Sequence, residues 1–272
     1  MVLQEYQPGS FLAAFVRTYR IDSRQAIPAK AYPPRPEHCL SFYPRDVEAV
    51  EFSESGKKEG GLKAVVFGQQ TEVTNRFVGN DFLLFQIVFK PGGLFRLTGV
   101  PSYEIVNSYL DADLFFPGQV ELINEQLNEC KDYRQMVLVV EAFLQQHILK
   151  KNIAVHRVDQ ACDMLFKNTA TYSVDWVAKQ SALSVRQFER VFKERMGISP
   201  KYYIKIARFE NAFRMKNQSP GLDWLTIALH CGYYDYQHLV KDYKALTRMS
   251  PTEFHEVEKT APERIFGEVD TY

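Results

Sequence analysis

One stretch near the C-terminal end constrains the fold more than any other. Ser173–Phe192 reads SVDWVAKQSALSVRQFERVF, the pattern of two short helices joined by a tight turn. Val174, Val177 and Ala178 fall on one face of the first helix. Ser184, with Gln187 three residues on, forms a capping box for the second, because these two side chains satisfy backbone donors left open at a helix start. Phe188, Val191 and Phe192 follow at i, i+3 and i+4, the spacing of a buried stripe. That leaves Arg186, Gln187, Glu189, Arg190 and Lys193 facing outward. A small anchored helix with long donor side chains along one face suits the major groove. The same pattern also suits an ordinary helical hairpin with a solvated charged face.

An internal repeat bears on that choice. Ser173, Val177 and Ala178 recur 50 positions later as Asp223, Ile227 and Ala228. Ser184, Phe188, Phe192, Ser199-Pro200 and Tyr203 recur 51 positions later as Asp235, Leu239, Tyr243, Ser250-Pro251 and Phe254. Chance does not easily place that many matches in register. Each unit has a capped first helix, a capped second helix and a Ser-Pro terminator. Between them Lys201–Met215 reads as a long helix, with Tyr203, Ile206, Ala207, Ala212 and Phe213 available for packing. Further helices are expected over Val155–Phe166, Asp223–Cys231 and Tyr236–Leu246, with a short turn near Pro251. The expectation is a duplicated helix-turn-helix on a linker helix; two units are too few for a solenoid.

The first 110 or so residues read differently. Cys39–Tyr43, Ala64–Gln69 and Phe82–Lys90 are rich in β-formers and bounded by turn residues. Leu12–Tyr19 fits either a strand or a short helix. Ala26–Pro36 carries four prolines and favours extended or turn structure. Ser53–Gly61 reads as an exposed loop. In Phe82–Lys90, Phe85, Ile87 and Phe89 alternate with Gln86, Val88 and Lys90, which predicts one strongly aromatic face. Val120–Asn128, with Val120, Ile123, Gln126 and Leu127 at helical spacing, and Arg134–Leu149 predict a helical hairpin. The expected architecture is an α+β N-terminal domain over 1–150, mainly antiparallel β as a barrel or two-layer unit plus that hairpin. An all-α domain over 154–256 and a tail over 257–272 follow, with the boundary at Lys150-Lys151-Asn152.

Charge supports this division. The whole chain has a formal net charge of zero, so it is not a polyelectrolyte binder. Residues 154–256 carry 15 Lys and Arg against 11 Asp and Glu, a balance of +4, which leaves −4 for the remainder. A basic part joined to one that does not bind nucleic acid gives that asymmetry. The four cysteines, Cys39, Cys130, Cys162 and Cys231, form no CxxC pair, which disfavours a disulfide framework and favours a reducing cytoplasm. No secretory leader and no membrane-length apolar run is expected.

VAKQSALSVRQFERVFKERMGISPKYYIKIARFENA and IALHCGYYDYQHLVKDYKALTRMSPTEF together resemble the DNA-binding domain of AraC-type transcriptional regulators, over about a hundred residues from 154 to 256. In that bacterial family the two units enter successive major grooves of double-stranded DNA, tied by the linker helix. The resemblance implies a sequence-specific regulator that works with RNA polymerase. LSFYPR, VFGQQT and IVFKPGGLFRLTGVP resemble, less specifically, the sensor-like domain that precedes it in a subset of the family. One departure stands out. Gly197 precedes the first Ser-Pro, but Arg248 holds the matching place in the second unit. In a left-handed conformation Arg248 is mildly strained; it is also placed to add a phosphate contact.

Candidate DNA contacts are Arg186, Gln187, Arg190 and Lys193 in the first unit, and Tyr236, Gln237, His238, Lys241 and Lys244 in the second. Arginine pairs bidentately with guanine and glutamine with adenine, although Gln187 is also claimed by its capping box. Glu189 either accepts from cytosine or pairs with Lys193 at i, i+4. Lys241 and Lys244 suit phosphates, because lysine is a point charge rather than a planar fork. With no arginine on its reading face, the second unit is expected to supply more affinity than sequence choice. Trp176 and Trp224 read as core.

A small-molecule effector, if bound, would sit in the sheet domain, with Phe42, Tyr43, Phe67, Phe85, Ile87 and Phe89 as apolar lining and Arg45, Gln69 or Arg76 as polar contacts. Those aromatics equally fit a plain core. His38-Cys39 is a poor nucleophilic pair, since neighbours in a strand point to opposite faces. No phosphate loop, nucleophile elbow, cofactor motif or metal cluster is present in the sequence. The expectation is a transcription regulator, not an enzyme, controlled by an effector or by self-association as a homodimer. The alternative is an N-terminal enzyme or protein-interaction module that the helices target to DNA.

Overall fold

The computed structural model describes residues 2–25, 30–151, 155–167 and 172–259. Part of the proline-rich stretch, the expected boundary at Asn152 and the tail beyond 259 lie outside the described residues. The strands are β1 (Val2–Tyr6), β2 (Val16–Arg24), β3 (Lys30–Tyr32), β4 (Cys39–Phe42), β5 (Glu48–Phe52), β6 (Lys58–Gly60), β7 (Ala64–Phe67), β8 (Thr74–Val78), β9 (Phe82–Phe89) and β10 (Tyr109–Asp111). The first helices are α1 (Gly93–Thr98), α2 (Val120–Glu129) and α3 (Tyr133–Lys151).

β9 shows why the sheets stack as they do. All eight residues of FLLFQIVF are buried, so the strand needs cover on both sides, as near-continuous apolar strands generally do. It lies inside a six-stranded sheet ordered β1-β2-β9-β4-β7-β10, paired antiparallel with β2 and β4. Leu83, Phe85, Ile87 and Phe89 pack under α2 and α3 in one apolar cluster, where Phe143 of α3 meets Phe42 edge-on at 5.8 Å. Phe82, Leu84 and Val88 face the opposite way, toward Val50 and Phe52 of a second sheet ordered β3-β8-β5-β6. Gln86 is the polar exception. Its amide donates to Ser41 Oγ at 3.2 Å and its oxygen accepts from Arg20 at 3.4 Å.

The N-terminal half is thus mainly antiparallel β with the α2–α3 hairpin, as expected, and its six-stranded and four-stranded sheets stack in layers with those helices. Leu12–Tyr19 is both things allowed for it, a short 3-10 turn over Leu12–Ala14 followed by β2. Ser53–Gly61 is not wholly loop, because Lys58–Gly60 pairs with β5. In α2 the buried polar residue is Asn124; Gln126 is exposed.

The C-terminal half is helical: α4 (Arg157–Lys167), α5 (Val174–Gln180), α6 (Val185–Met196), α7 (Pro200–Gln218), α8 (Trp224–His230), α9 (Tyr236–Thr247) and α10 (Pro251–Lys259). The turn expected near Pro251 is a full helix, started by the N-terminal proline whose missing N–H costs nothing there. One apolar cluster runs through all seven helices, and Tyr32 and Val106 of the N-terminal half pack against it.

His38 lies between the halves. It is 1% exposed. Burial pushes its pKa down from 6.5 to about 4, against a backbone hydrogen bond with Met196 that raises it. Between those two pH values the unfolded chain binds more protons than the folded one, so stability is lost as pH falls through that window. Lowering the pH from 7 to 5 should reduce the unfolding free energy in urea by about 2 kcal/mol more in the wild type than in His38→Gln. An identical pH dependence in both proteins would show that His38 is not the group responsible.

Candidate nucleic-acid interface

The two second helices, α6 and α9, start in the same way. Ser184 Oγ accepts from the Gln187 N–H at 3.3 Å, and Gln187 Oε1 accepts from the Ser184 N–H at 3.1 Å, completing the capping box. Asp235 caps α9 by accepting from the His238 N–H at 2.8 Å. Ser173 and Asp223 cap α5 and α8 through the backbone N–H of Trp176 and Thr226. Each second helix is then anchored by equivalent side chains, Phe188 and Phe192 in α6 and Leu239 and Tyr243 in α9, all 0% exposed.

With that face fixed, the opposite face points to solvent. Arg186, Gln187, Glu189, Arg190 and Lys193 are all exposed, as are Gln237, His238, Lys241 and Lys244. Arg186, Arg190 and Lys193 make no ion pair among the described residues, and Glu189 does not pair with Lys193, so those guanidinium and ammonium groups face only water. Gln187 is exposed but spends its carbonyl oxygen on the cap, leaving its amide N–H groups for a base edge. His238 Nδ1 lies 2.9 Å from Asp235 Oδ1.

Tyr236 and Trp176 depart from expectation, Trp224 packs on the core as expected, and Tyr234 was not anticipated. Tyr236 is only half-exposed and packs against the helical core, because the first turn of α9 lies against its own unit. Trp176 is not core; it is 39% exposed and stacks on Tyr172 at 4.5 Å, with planes 17° apart. Trp224 is partly buried, edge-on to Tyr243 at 5.7 Å. Tyr234 escaped the sequence reading. It is 86% exposed, one residue before the α9 cap, with its ring 6.0 Å from that of His238. Its signal was the Tyr233-Tyr234 pair, of which only the first falls in the buried register.

The expected effector lining does not converge on one space. Phe42, Phe85, Ile87 and Phe89 belong to the cluster under the helices, whereas Tyr43 and Phe67 belong to the cluster between the sheets. Alternation along the strands sends them to opposite faces of the six-stranded sheet. Arg76 is committed to Glu48 at 3.6 Å and lies over the rings of Tyr32 and Phe67. Gln69 donates to the Arg35 carbonyl at 2.7 Å. Arg45 pairs with Asp81 at 2.9 Å and lines an open cleft of about 340 Å³ beside Asn128. A larger cleft of about 700 Å³ is lined by Lys63, Asp111, Asp113, Glu121 and Asn124.

Two capped helix pairs on one linker helix, each with an anchored and a bare face, define a double helix-turn-helix protein. Residues 177–256 match the family described as "Helix-turn-helix domain". A curated relative from Haemophilus influenzae, an uncharacterized HTH-type transcriptional regulator, is 25% identical over 130 residues, which are 44% of this chain and 41% of that protein. The chain therefore spans less than half the length of that relative. The apo structure of a ToxT variant from Vibrio cholerae is similar in fold, with a TM-score of 0.51 at 8% identity, covering 87% of this chain and 96% of that one. An AraC-type DNA-binding domain from Chromobacterium violaceum is 26% identical, with a TM-score of 0.35, over 39% of this chain and 94% of that chain.

The exposed face of α6 sets its test. Arg190→Ala should weaken binding to a selected duplex by about 1–3 kcal/mol and relax preference at one base pair, whereas Lys241→Ala should weaken all duplexes alike and lower the salt slope by about 1. Competition binding against single-base variants distinguishes the two. Unchanged affinity in Arg190→Ala removes that residue from the interface.

Proposed function

We propose that this chain is a sequence-specific DNA-binding transcription regulator, with Arg186, Gln187, Arg190 and Lys193 reading one half-site and Gln237, His238, Lys241 and Lys244 holding the next. The observation that supports this best is the pair of recognition helices, capped and anchored alike and bare on the same relative face. Arginine on α6 favours guanine readout there. Lysines on α9 favour phosphate contact.

The N-terminal domain is the regulatory half in this reading, responding to a small effector or to self-association, with the C-terminal domain contacting DNA and, by family likeness, RNA polymerase. A binding role rather than a catalytic one is proposed, and the burial of His38, Cys39 and Cys162 supports it. No described helix is long and apolar enough to cross a membrane, and a DNA-bound role supports a cytoplasmic location.

Binding of the full chain to duplex DNA should fall steeply with salt, with a log–log slope of roughly −0.9 per phosphate neutralised. Fluorescence anisotropy across a salt series measures it. A flat response, or no binding at low salt, would overturn the reading.

A further inference from the structure

The two units share one plan and differ at one place. Gly197 and Arg248 each follow a recognition helix, and both are left-handed, with φ of 83° and 65°. Each closes the same bond, from its N–H to Lys193 O at 2.8 Å or to Lys244 O at 2.9 Å. Backbone freedom therefore does not account for the glycine, since an arginine holds the same conformation. Space does. A Cβ at Gly197 would lie 2.9 Å from the Ser102 carbonyl oxygen and 2.9 Å from Val106 Cγ2. Arg248 is instead exposed, with Glu54 at 3.8 Å.

Ser102–Ile105 is a 3-10 turn of the N-terminal half, so the surface pressed on Gly197 comes from the other domain. That domain also reaches the last residues of α6. Ser102 Oγ donates to the Arg195 carbonyl at 2.9 Å. The Gly92 N–H donates to Met196 Sδ at 3.3 Å. The Arg195 guanidinium, bonded through Nε and Nη2 to Asp159, lies 4.7 Å over the Phe95 ring of α1. The final carbonyls of an α-helix find no partner within it. Here part of what satisfies them belongs to a different domain.

We propose that the N-terminal domain is a positioning device for the first recognition helix. Ser102 satisfies the Arg195 carbonyl at the C-terminal end of α6, and the 102–106 segment seats on Gly197, so domain docking fixes how α6 meets DNA. The end of α9 also meets the N-terminal half, at Arg248, but through an exposed ion pair to Glu54 at 3.8 Å with no seated backbone, and such a pair holds weakly. The inference rests on the DNA-reading role proposed above. It implies that movement of the N-terminal domain alters recognition at the α6 half-site far more than at the α9 half-site.

The test uses the full chain as wild type, Ser102→Ala, Gly197→Ala and Arg248→Ala. Hydrogen exchange without DNA is followed over 190–197 and over 241–248. Binding is then measured to a duplex selected from a random library, with either half-site scrambled in turn. In Ser102→Ala and Gly197→Ala, the α6 amides should exchange roughly fivefold faster, the equivalent of one lost hydrogen bond, with α9 unchanged. Discrimination should be lost at the α6 half-site alone. Arg248→Ala should leave α6 as it is. If Gly197→Ala does not fold, Ser102→Ala carries the test, because it removes only a donor. Unchanged exchange in α6, or equal acceleration in α6 and α9, would overturn the proposal. Failure of the wild type to bind DNA would overturn the DNA-reading role instead, and the exchange data would still decide whether the domain holds α6.

Discussion

The packing of α7 between the two helix-turn-helix units is the contact on which the C-terminal half depends. Tyr203 near its start meets Phe192 edge-on at 5.5 Å. Further along, Phe209 meets Tyr243 at 4.7 Å and Phe254 at 6.0 Å. One helix thus completes the core of both units and fixes their separation. Its 19 residues span about 28 Å at 1.5 Å per residue, close to the ~34 Å turn that separates successive major grooves. In the proposed reading, a rigid spacer of that length joins the two units into one longer site.

The junction with the N-terminal half is of a different kind. Its bonds are mostly polar: Ser102 to Arg195, Tyr202 to the Thr71 carbonyl at 3.0 Å, and Arg35 to Glu210 of α7 at 3.6 Å. Arg35, which makes that crossing, is shared with Glu37 of its own half: burial raises the pKa of Glu37, but Arg20, Arg35 and Arg17 outweigh it and hold the carboxyl well below the usual range. Buried ion pairs lose in desolvation much of what they gain in attraction. They therefore orient the domains more than they weld them. Polar seams of this sort are compatible with relative domain motion, which a regulator controlled through its N-terminal half requires.

Much of this was legible in the sequence where the signal is local. α5 and α6 begin where Ser173 and Ser184 place them, and α6 ends at Gly197, because caps act within one helical turn. The bare face of α6 followed from the register of Phe188 and Phe192. The sheets were readable as strands but not as layers, since pairing β9 with β2 joins residues some 70 apart and leaves no local mark. Trp176 was misjudged because a large aromatic on a short helix looks like core until its neighbours are known. The role of Gly197 needed Ser102, more than 90 residues away. In the sequence, the contrast with Arg248 looked like an oddity of the second unit, when the constraint lies in the first.

The central claim is that both units engage one duplex together through the span set by α7. Hydroxyl-radical footprinting of the full chain on a selected duplex tests it most directly. Two protected segments on the same face, about 10 base pairs apart centre to centre, are the expected result. A single protected segment, or two segments on opposite faces of the duplex, would contradict it.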